Sequence, residues 1–181
     1  MLFRSGIFAQ SVGGGGNAEF VSVTSFGRLD TIGDNANGIL AQSVGGGGGN
    51  AGFAIAGALT LNKDAAGVSF GGKGGTAGDG RGVEVFSSGN ISTGNPIGFL
   101  SPGIADSGAN SNAILAQSVG GGGGNGGFSG AIALAKGDSQ SISFGGAGAG
   151  GGSGGTVKVT SFGQLLTLGP NANGILAQSI G

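Results

Sequence analysis

The feature that most constrains this chain is a motif that occurs four times within its 181 residues. Gly-Ile-Leu-Ala-Gln-Ser-Val begins at Gly38, and copies of it begin at Gly6, Ala113 and Gly174. Five glycines and an asparagine follow each of the two middle copies. Self-similarity on this scale is typical of repeat architectures, in which each unit buries its apolar face against its neighbours.

The copies divide the chain into unequal units, which are 6–37, 38–112, 113–173 and a truncated 174–181. The first unit lacks the block that matches 52–82 of the second, yet the pattern resumes in phase at Val21, and the second unit carries an insertion around 96–102. A compact globular fold would seldom survive that loss, whereas a solenoid loses one coil cleanly because each coil contacts only its neighbours. We therefore predict one repetitive solenoid fragment over 1–181, with coils of about 20 residues.

A second motif predicts strands. It occurs at Val21–Gly27, Val83–Gly89 and Val157–Gly163. In the last copy Lys158 lies between two valines, and the same slot holds Ser22 and Glu84 in the other copies. A period of two directs the valines inward and the variable residue outward. The fold class predicted is all-β, a parallel β-helix or β-solenoid with glycine-rich turns and loops.

The first motif is a strand whose inward face the alternation leaves open, and we place Ile39 and Ala41 inside. Paired asparagines recur in one turn, at Asn35 and Asn37, Asn110 and Asn112, and Asn171 and Asn173. Asparagine tolerates a left-handed backbone, and its amide can form hydrogen bonds along a stack of equivalent residues. The glycine runs at 45–49 and 120–124 are interpreted as turns or protruding loops.

Phenylalanines occupy two kinds of slot. The alternation directs Phe26, Phe86 and Phe162 outward as one row, which we interpret as a stack covered by a neighbouring loop rather than a binding stripe. Phe70 and Phe144 follow Val-Ser and Ile-Ser pairs and are predicted to point inward.

The composition excludes several functions. Seven basic residues and a net charge of −1 are unsuited to a nucleic-acid surface. Without His or Cys the chain cannot build a Ser-His-Asp or Cys-His centre, and it has no thiolate metal site. Gly67–Gly74 ends in Gly where a phosphate-binding loop needs Ser or Thr, and Thr76–Gly80 lacks the tandem spacing of calcium-binding repeats.

The acids are interpreted as solvated residues of turns and outward slots: Glu19, Asp30, Asp34, Asp64, Asp79, Glu84, Asp106 and Asp138. A formal glycosylation sequon begins at Asn90, but its Ile91 fills a predicted core slot. We predict no catalytic, cofactor-binding or metal-binding residue, no cofactor, and a protein that is not an enzyme.

The repeats resemble the passenger region of bacterial autotransporters, the type V secreted proteins of Gram-negative outer membranes. The resemblance rests on Gly33–Gly49, with close relatives at 108–124 and 169–181, and covers nearly the whole chain. It implies a right-handed parallel β-helix that is exported through a C-terminal β-barrel and displayed on the cell surface, outer-membrane anchored and commonly adhesive. Neither a signal peptide nor the translocator barrel is recognised in 1–181, and no apolar stretch approaches the roughly 18 residues of a membrane helix.

The function expected is therefore a structural or adhesive passenger segment that attaches to a host surface, an abiotic surface or neighbouring cells through many weak contacts. No nucleic-acid partner is expected, and end-to-end self-association through uncapped coils is a further expectation. One alternative is a phage-tail or ice-binding type of solenoid, although Phe86 interrupts the threonine row of Thr24 and Thr160. A polysaccharide-processing β-helix enzyme would need acids clustered on one face.

The predicted strand faces can be tested at two adjacent residues. Replacing Val159 with Asp should lower the melting temperature more than replacing Lys158 with Asp, because only the first places a charge in the predicted core. Thermal unfolding followed by circular dichroism measures both variants. Equal losses would show that the inward assignment is wrong.

Overall fold

A computed structural model describes residues 5–60, 64–94, 108–135 and 138–181. Within these ranges the chain forms β-strands joined by turns and extended segments, and no helix. The strands are β1 Ser5–Val12, β2 Val21–Ser25, β3 Leu29–Thr31, β4 Asn37–Val44, β5 Ala54–Thr60, β6 Ala65–Phe70, β7 Val83–Ser87, β8 Ile91–Thr93, β9 Ile114–Val119, β10 Ser129–Ala135, β11 Ser139–Phe144, β12 Val157–Ser161, β13 Leu165–Thr167 and β14 Ile175–Ile180. The expected all-β class is confirmed for the described residues.

The strands form five separate parallel sheets, which we label A to E. Sheet A has the order β1-β4-β9-β14, sheet B β2-β7-β12 and sheet C β3-β8-β13, whereas sheets D (β5-β10) and E (β6-β11) have two strands each. Pairing follows the repeats, so that Ile39 lies between Ile7 and Ile114. The coil length of about 20 residues is wrong, since the paired glutamines of sheet A are 32, 75 and 61 residues apart.

The main hydrophobic core lies among sheets A, B and C. The inward valines are confirmed, since Val21, Val23, Val83 and Val85 are buried while Ser22 and Lys158 are exposed. The inward placement of the first motif is confirmed as well, because Ile39 and Ala41 are fully buried. Each buried Val or Ile contributes about 1.5–3 kcal/mol. Alternation within short strands is thus sufficient to build this core.

The asparagine turn behaves as predicted at both of its positions. The first asparagine of each pair is left-handed, with φ of 57° at Asn35, 56° at Asn110 and 54° at Asn171. The second asparagine joins neighbouring units, because the Asn37 side-chain oxygen accepts a hydrogen bond from the Asn112 backbone N–H at 2.9 Å. Asn112 binds the backbone of Asn173 in the same way, also at 2.9 Å. The two asparagines have different roles within one turn.

The glycine runs are ordered segments that lie against one another. Gly45 donates its N–H to Val119 at 2.8 Å and Gly48 donates to Gly122 at 2.7 Å, and Ala51 continues the series. Bonding at every third residue is the period of a polyproline II helix, which has three residues per turn. Strands would instead give a period of two.

These segments also contact the glycine-rich stretches that return toward sheet B. Gly78 donates to Gly46 at 2.8 Å, Gly121 donates to Gly78 at 3.0 Å and Gly152 donates to Gly121 at 2.7 Å. We call the segments 45–53, 71–82, 120–128 and 145–156 the glycine bundle. Its glycines do not adopt left-handed φ values, and what requires glycine is close approach of backbones.

The block missing from the first unit is not a coil. Strands β5 and β6 form a lateral arm that the chain enters from 45–53 and leaves through 71–82, and β10 and β11 form the second arm in the next unit. The chain departs and returns at one place, because Gly75 donates its N–H to Gly49 at 2.7 Å. The insertion around 96–102 lies outside the described residues.

The arms also overturn the inward placement of two phenylalanines. Small residues face the interior between sheets D and E, as in β6, where Ala65, Gly67 and Ser69 are buried. Phe70 and Phe144 lie on the outer face, 66% and 51% exposed, and stack on each other with ring centroids 5.1 Å apart. The two sheets are too close for a phenyl ring, since even a Cβ on Gly67 would lie 3.0 Å from the Ile132 carbonyl oxygen.

Two neighbouring glycines test the close approach in the glycine bundle. A Cβ on Gly121 would overlap the Gly46 carbonyl, whereas a Cβ on Gly122 meets no atom within 4 Å. Gly121→Ala should destabilise the fold by about 1–3 kcal/mol, as overpacking does. Gly122→Ala should change stability by less than about 0.5 kcal/mol. Equal melting temperatures for the two variants would contradict the described packing.

Candidate binding surfaces

The most repeated motif has a structural role that sequence reasoning missed. Its serine lies inside, where the Ser43 hydroxyl donates to the Glu19 carbonyl and accepts from the Arg81 N–H, both at 2.9 Å. Ser118 repeats the arrangement by donating to the Arg81 carbonyl at 2.8 Å and accepting from the Gly155 N–H at 2.7 Å. The motif therefore joins sheet A to the segments that lead into sheet B. The sequence did contain a signal for this role, because Ser43 lies two residues after the inward Ala41 and therefore faces the same side of the strand.

The outward row of phenylalanines is confirmed in direction and corrected in environment. Phe26 and Phe162 are 74% and 75% exposed, so the expected loop does not cover them. Phe86 lies between them, with ring centroids 6.0 Å from Phe26 and 5.8 Å from Phe162. In register Phe86 pairs with Thr24 and Thr160, and it interrupts the threonine row. The result is an exposed aromatic cluster on the outside of sheet B.

The arms present large apolar residues to solvent. The outward positions of sheet D include Ile55 and Leu59, which are 66% and 72% exposed. Sheet E adds Val68 and Phe70 on the opposite side of the same arm. Equivalent positions of the second arm carry Ile132, Leu134, Ile142 and Phe144. Exposed apolar patches of this kind typically mark interaction sites.

A shallow cleft of about 300 Å³ crosses the outer face of sheet C. Its wall includes Arg28, whose Nε lies 2.7 Å from an oxygen of Asp30, and the exposed Leu166. Asn90 takes part in unit stacking, since its side-chain oxygen accepts the Gln164 backbone N–H at 2.9 Å. Among the described residues that line the cleft, Asp30 is the only acid, so these residues do not assemble a pair of carboxylates for general acid–base catalysis.

The acids are more than solvated charges. Asp34, Asp64 and Asp79 each accept a hydrogen bond from a backbone N–H of the following unit. Glu84 pairs with Lys158 at 2.8 Å. Within the described ranges no three acids come together in a group able to hold a metal ion. Asp106 lies outside those ranges.

The three segments that partly match known motifs, which are 67–74, 76–80 and the sequon at Asn90, have structural roles. The stretch 67–74 runs from β6 into the glycine bundle. Within 76–80, the Asp79 side chain accepts the Ser153 N–H at 2.8 Å. Ile91 is buried, as the core-slot prediction for the sequon required.

Among the described residues, three side chains have pKa values displaced by their hydrogen bonds. The backbone N–H groups of Gly108 and Ala109, at 2.9 and 3.0 Å from one oxygen of Asp34, lower the pKa of this carboxyl because they stabilise its charged form. The hydrogen bond to Glu84 raises the pKa of Lys158, and that to Asp30 raises the pKa of Arg28. All three groups are exposed, and they stabilise turns and outer surfaces.

No protein-family model, curated protein or solved structure matches the chain. In the part of the chain that the structure describes, no helix is long and apolar enough to cross a membrane. The candidate surfaces therefore stand on geometry alone: the aromatic cluster, the outer faces of the arms and the cleft on sheet C.

The turn at Asp34 gives a pH prediction. A carboxyl whose folded pKa is lowered contributes stability that is present above its unfolded pKa and is lost as the pH falls through the folded pKa. The melting temperature should therefore decline below about pH 4, and Asp34→Asn should make the decline shallower because it removes this titration. Thermal melts of both proteins between about pH 6 and pH 2 measure the difference. Parallel curves would exclude Asp34 as a contributor.

Proposed function

We propose that the chain is a structural and adhesive passenger segment of a bacterial autotransporter, displayed outside the cell and built as a right-handed parallel β-solenoid. The observation that carries the proposal is that equivalent residues pair in register across successive units while large apolar side chains recur on the outside. Backbone pairing extends the structure, and the outward residues are free to contact other surfaces.

The solenoid architecture is supported by the strand order. In sheet A, β4 pairs with β1 on one edge and with β9 on the other, always in parallel and with the repeated motif aligned. Sheets B and C follow the same unit order as sheet A. Stacked units of this kind need only nearest-neighbour contacts, which suits an extended stalk. Handedness and anchoring by a translocator come from the resemblance to autotransporter passengers.

Adhesion is supported by repetition of exposed apolar groups rather than by one deep pocket. Phe70 and Phe144 form one stack, Phe26 and Phe162 flank a second cluster, and each lies on the outside of its sheet. Many weak contacts of the same kind raise the overall affinity without a strong individual site. An apolar abiotic surface or the surface of a neighbouring cell suits such groups.

The alternatives have less support. A regular threonine array for ice binding is interrupted by Phe86 between Thr24 and Thr160. A polysaccharide-processing enzyme needs two carboxylates flanking one bond, and among the described residues that line the cleft on sheet C Asp30 is the only acid. A phage-tail module shares the architecture and differs in its genetic surroundings.

Attachment of displayed cells tests the proposal. The chain is fused between an export signal and an outer-membrane translocator in a Gram-negative host, and cell retention is counted on alkyl-coated and bare glass. We expect display to raise retention on the alkyl surface, and Phe70→Ser with Phe144→Ser to lower it about tenfold, which corresponds to about 1.4 kcal/mol. Phe26→Ser with Phe162→Ser removes the same number of rings from the aromatic cluster and should also lower retention, because both groups of rings are proposed to contact the surface. Retention on bare glass is the control, since removing rings should leave it unchanged.

The outcomes separate the parts of the proposal. A chain that remains protected from added protease on intact cells would contradict the passenger role. A chain that is displayed without raising retention on either surface would contradict adhesion and leave the stalk role. Loss of retention in the Phe26 and Phe162 variant alone would confine adhesion to the aromatic cluster and exclude the arms.

A further inference from the structure

Among the strands that the structure describes, none lies beside one edge of the first arm. Among the described residues β5 pairs with β10 alone. The other side of β5 faces the first unit, which runs from β1 to β2 without forming an arm. This gap lies within the repeated region and arises because the first unit is shorter than the units that follow.

The groups on this edge can be assigned from one hydrogen bond. Ala54 donates its N–H to the Phe128 carbonyl at 2.9 Å, so Ala54 faces β10. Successive residues of a strand direct their N–H and C=O groups to opposite sides, so Ile55, Gly57 and Leu59 direct theirs to the open edge. Ala54–Thr60 contains no charged residue and no proline, the features by which natural proteins protect exposed edges.

The edge is self-complementary, and we propose that it pairs antiparallel with the same edge of a second copy of this chain. A two-fold axis at Gly57 places Ile55 of each copy opposite Leu59 of the other, on the same outer face. Gly57 then lies opposite itself, where a Cβ would meet no atom within 4 Å in the single chain. The spacing Ile-x-Gly-x-Leu then places two branched apolar side chains opposite each other on each side of the axis.

The opposite strand direction follows from the position of the first unit. A second copy that presented β10 in parallel to β5 would bring its own unit 113–173 into the space beside β4. That space is occupied, since β1 already pairs with β4. An antiparallel copy has its main body beyond the far end of the arm instead. The contact is therefore isologous, and it closes as a dimer rather than growing into a filament.

Pairing also relieves two unfavourable features of the isolated arm. Sheet D has only two strands, and two-stranded sheets are marginally stable in water, whereas the joined sheet has four. Ile55 and Leu59, which are largely exposed in the single chain, become cross-strand neighbours. This dimerisation is separate from adhesion, because it uses a backbone edge and leaves Phe70 and Phe144 on the other sheet.

Sedimentation of the full chain with two proline variants tests the proposal. Wild type should sediment as a dimer when its concentration is raised to about 1 mM. Gly57→Pro removes the central donor of the open edge without removing a bond to β10, and it should remain monomeric. Ala131→Pro is the control, because Ala131 directs its N–H away from β5, and it should dimerise as wild type does. Circular dichroism melts check that both variants fold.

A thiol pair gives an independent readout that does not depend on tolerance of proline. The chain has no cysteine, so a single introduced thiol is unique. Opposed residues in a hydrogen-bonded antiparallel pair have Cα atoms about 5.5 Å apart, within disulfide range. Oxidised Gly57→Cys should give a covalent dimer and Ala131→Cys should not. A wild type that is monomeric throughout, dimers lost in Ala131→Pro, or cross-linking of Ala131→Cys in place of Gly57→Cys would each overturn the two-fold edge.

Discussion

Parallel pairing of each residue with its own copy in the next unit is the constraint on which the rest of this structure depends. It rewards residues that bind their own kind, as the amides of Asn37, Asn112 and Asn173 do. It penalises repeated charges, because like charges would stand side by side along the stack. The low charged fraction of 8% follows from this, as does the pairing of Glu84 with Lys158 at one outward position. The scarcity of charged residues is thus a consequence of the in-register pairing of equivalent residues.

Close packing of bare backbones is the second constraint. In a sheet the side chains alternate to two faces, but the segments of the glycine bundle have neighbours on several sides, and a Cβ at Gly45, Gly78 or Gly121 would overlap a carbonyl. The loss of conformational entropy on ordering glycine is large. Backbone hydrogen bonds at every third residue offset this loss of entropy. They join segments 45–53, 71–82 and 120–128. Glycine is abundant because many positions of the glycine bundle leave no room for a Cβ. Among the described glycines, only Gly33, Gly94 and Gly108 have the positive φ values that favour glycine in turns.

Much of the core was predictable from alternation, because a period of two fixes the face of every residue once one is known. Val85 follows in this way. Alternation left the face of Ile39 open, and the two roles of the asparagine turn were predicted from the tolerance of asparagine for a left-handed backbone and from stacking of equivalent amides. The arms were not predictable, since alternation in Ala54–Thr60 gives two faces without saying that the small one is inside. Phe70 was placed inward on the rule that large apolar residues are buried, and the close approach at Gly67 reverses that rule. The apolar outer faces of the arms exist because sheets D and E lie too close together to enclose large side chains, and this distance cannot be read from the sequence.

The hydrogen bond between Gly49 and Gly75 at the root of the first arm has a consequence for how such proteins change over generations. The chain leaves the stack and rejoins it at a single place, so any insertion whose two ends can meet there leaves the registration of every other unit untouched. This explains how one unit without an arm and two units with an arm can pair in the same sheets. An arm can therefore be inserted at this place, or removed from it, without changing how the strands of sheets A, B and C pair.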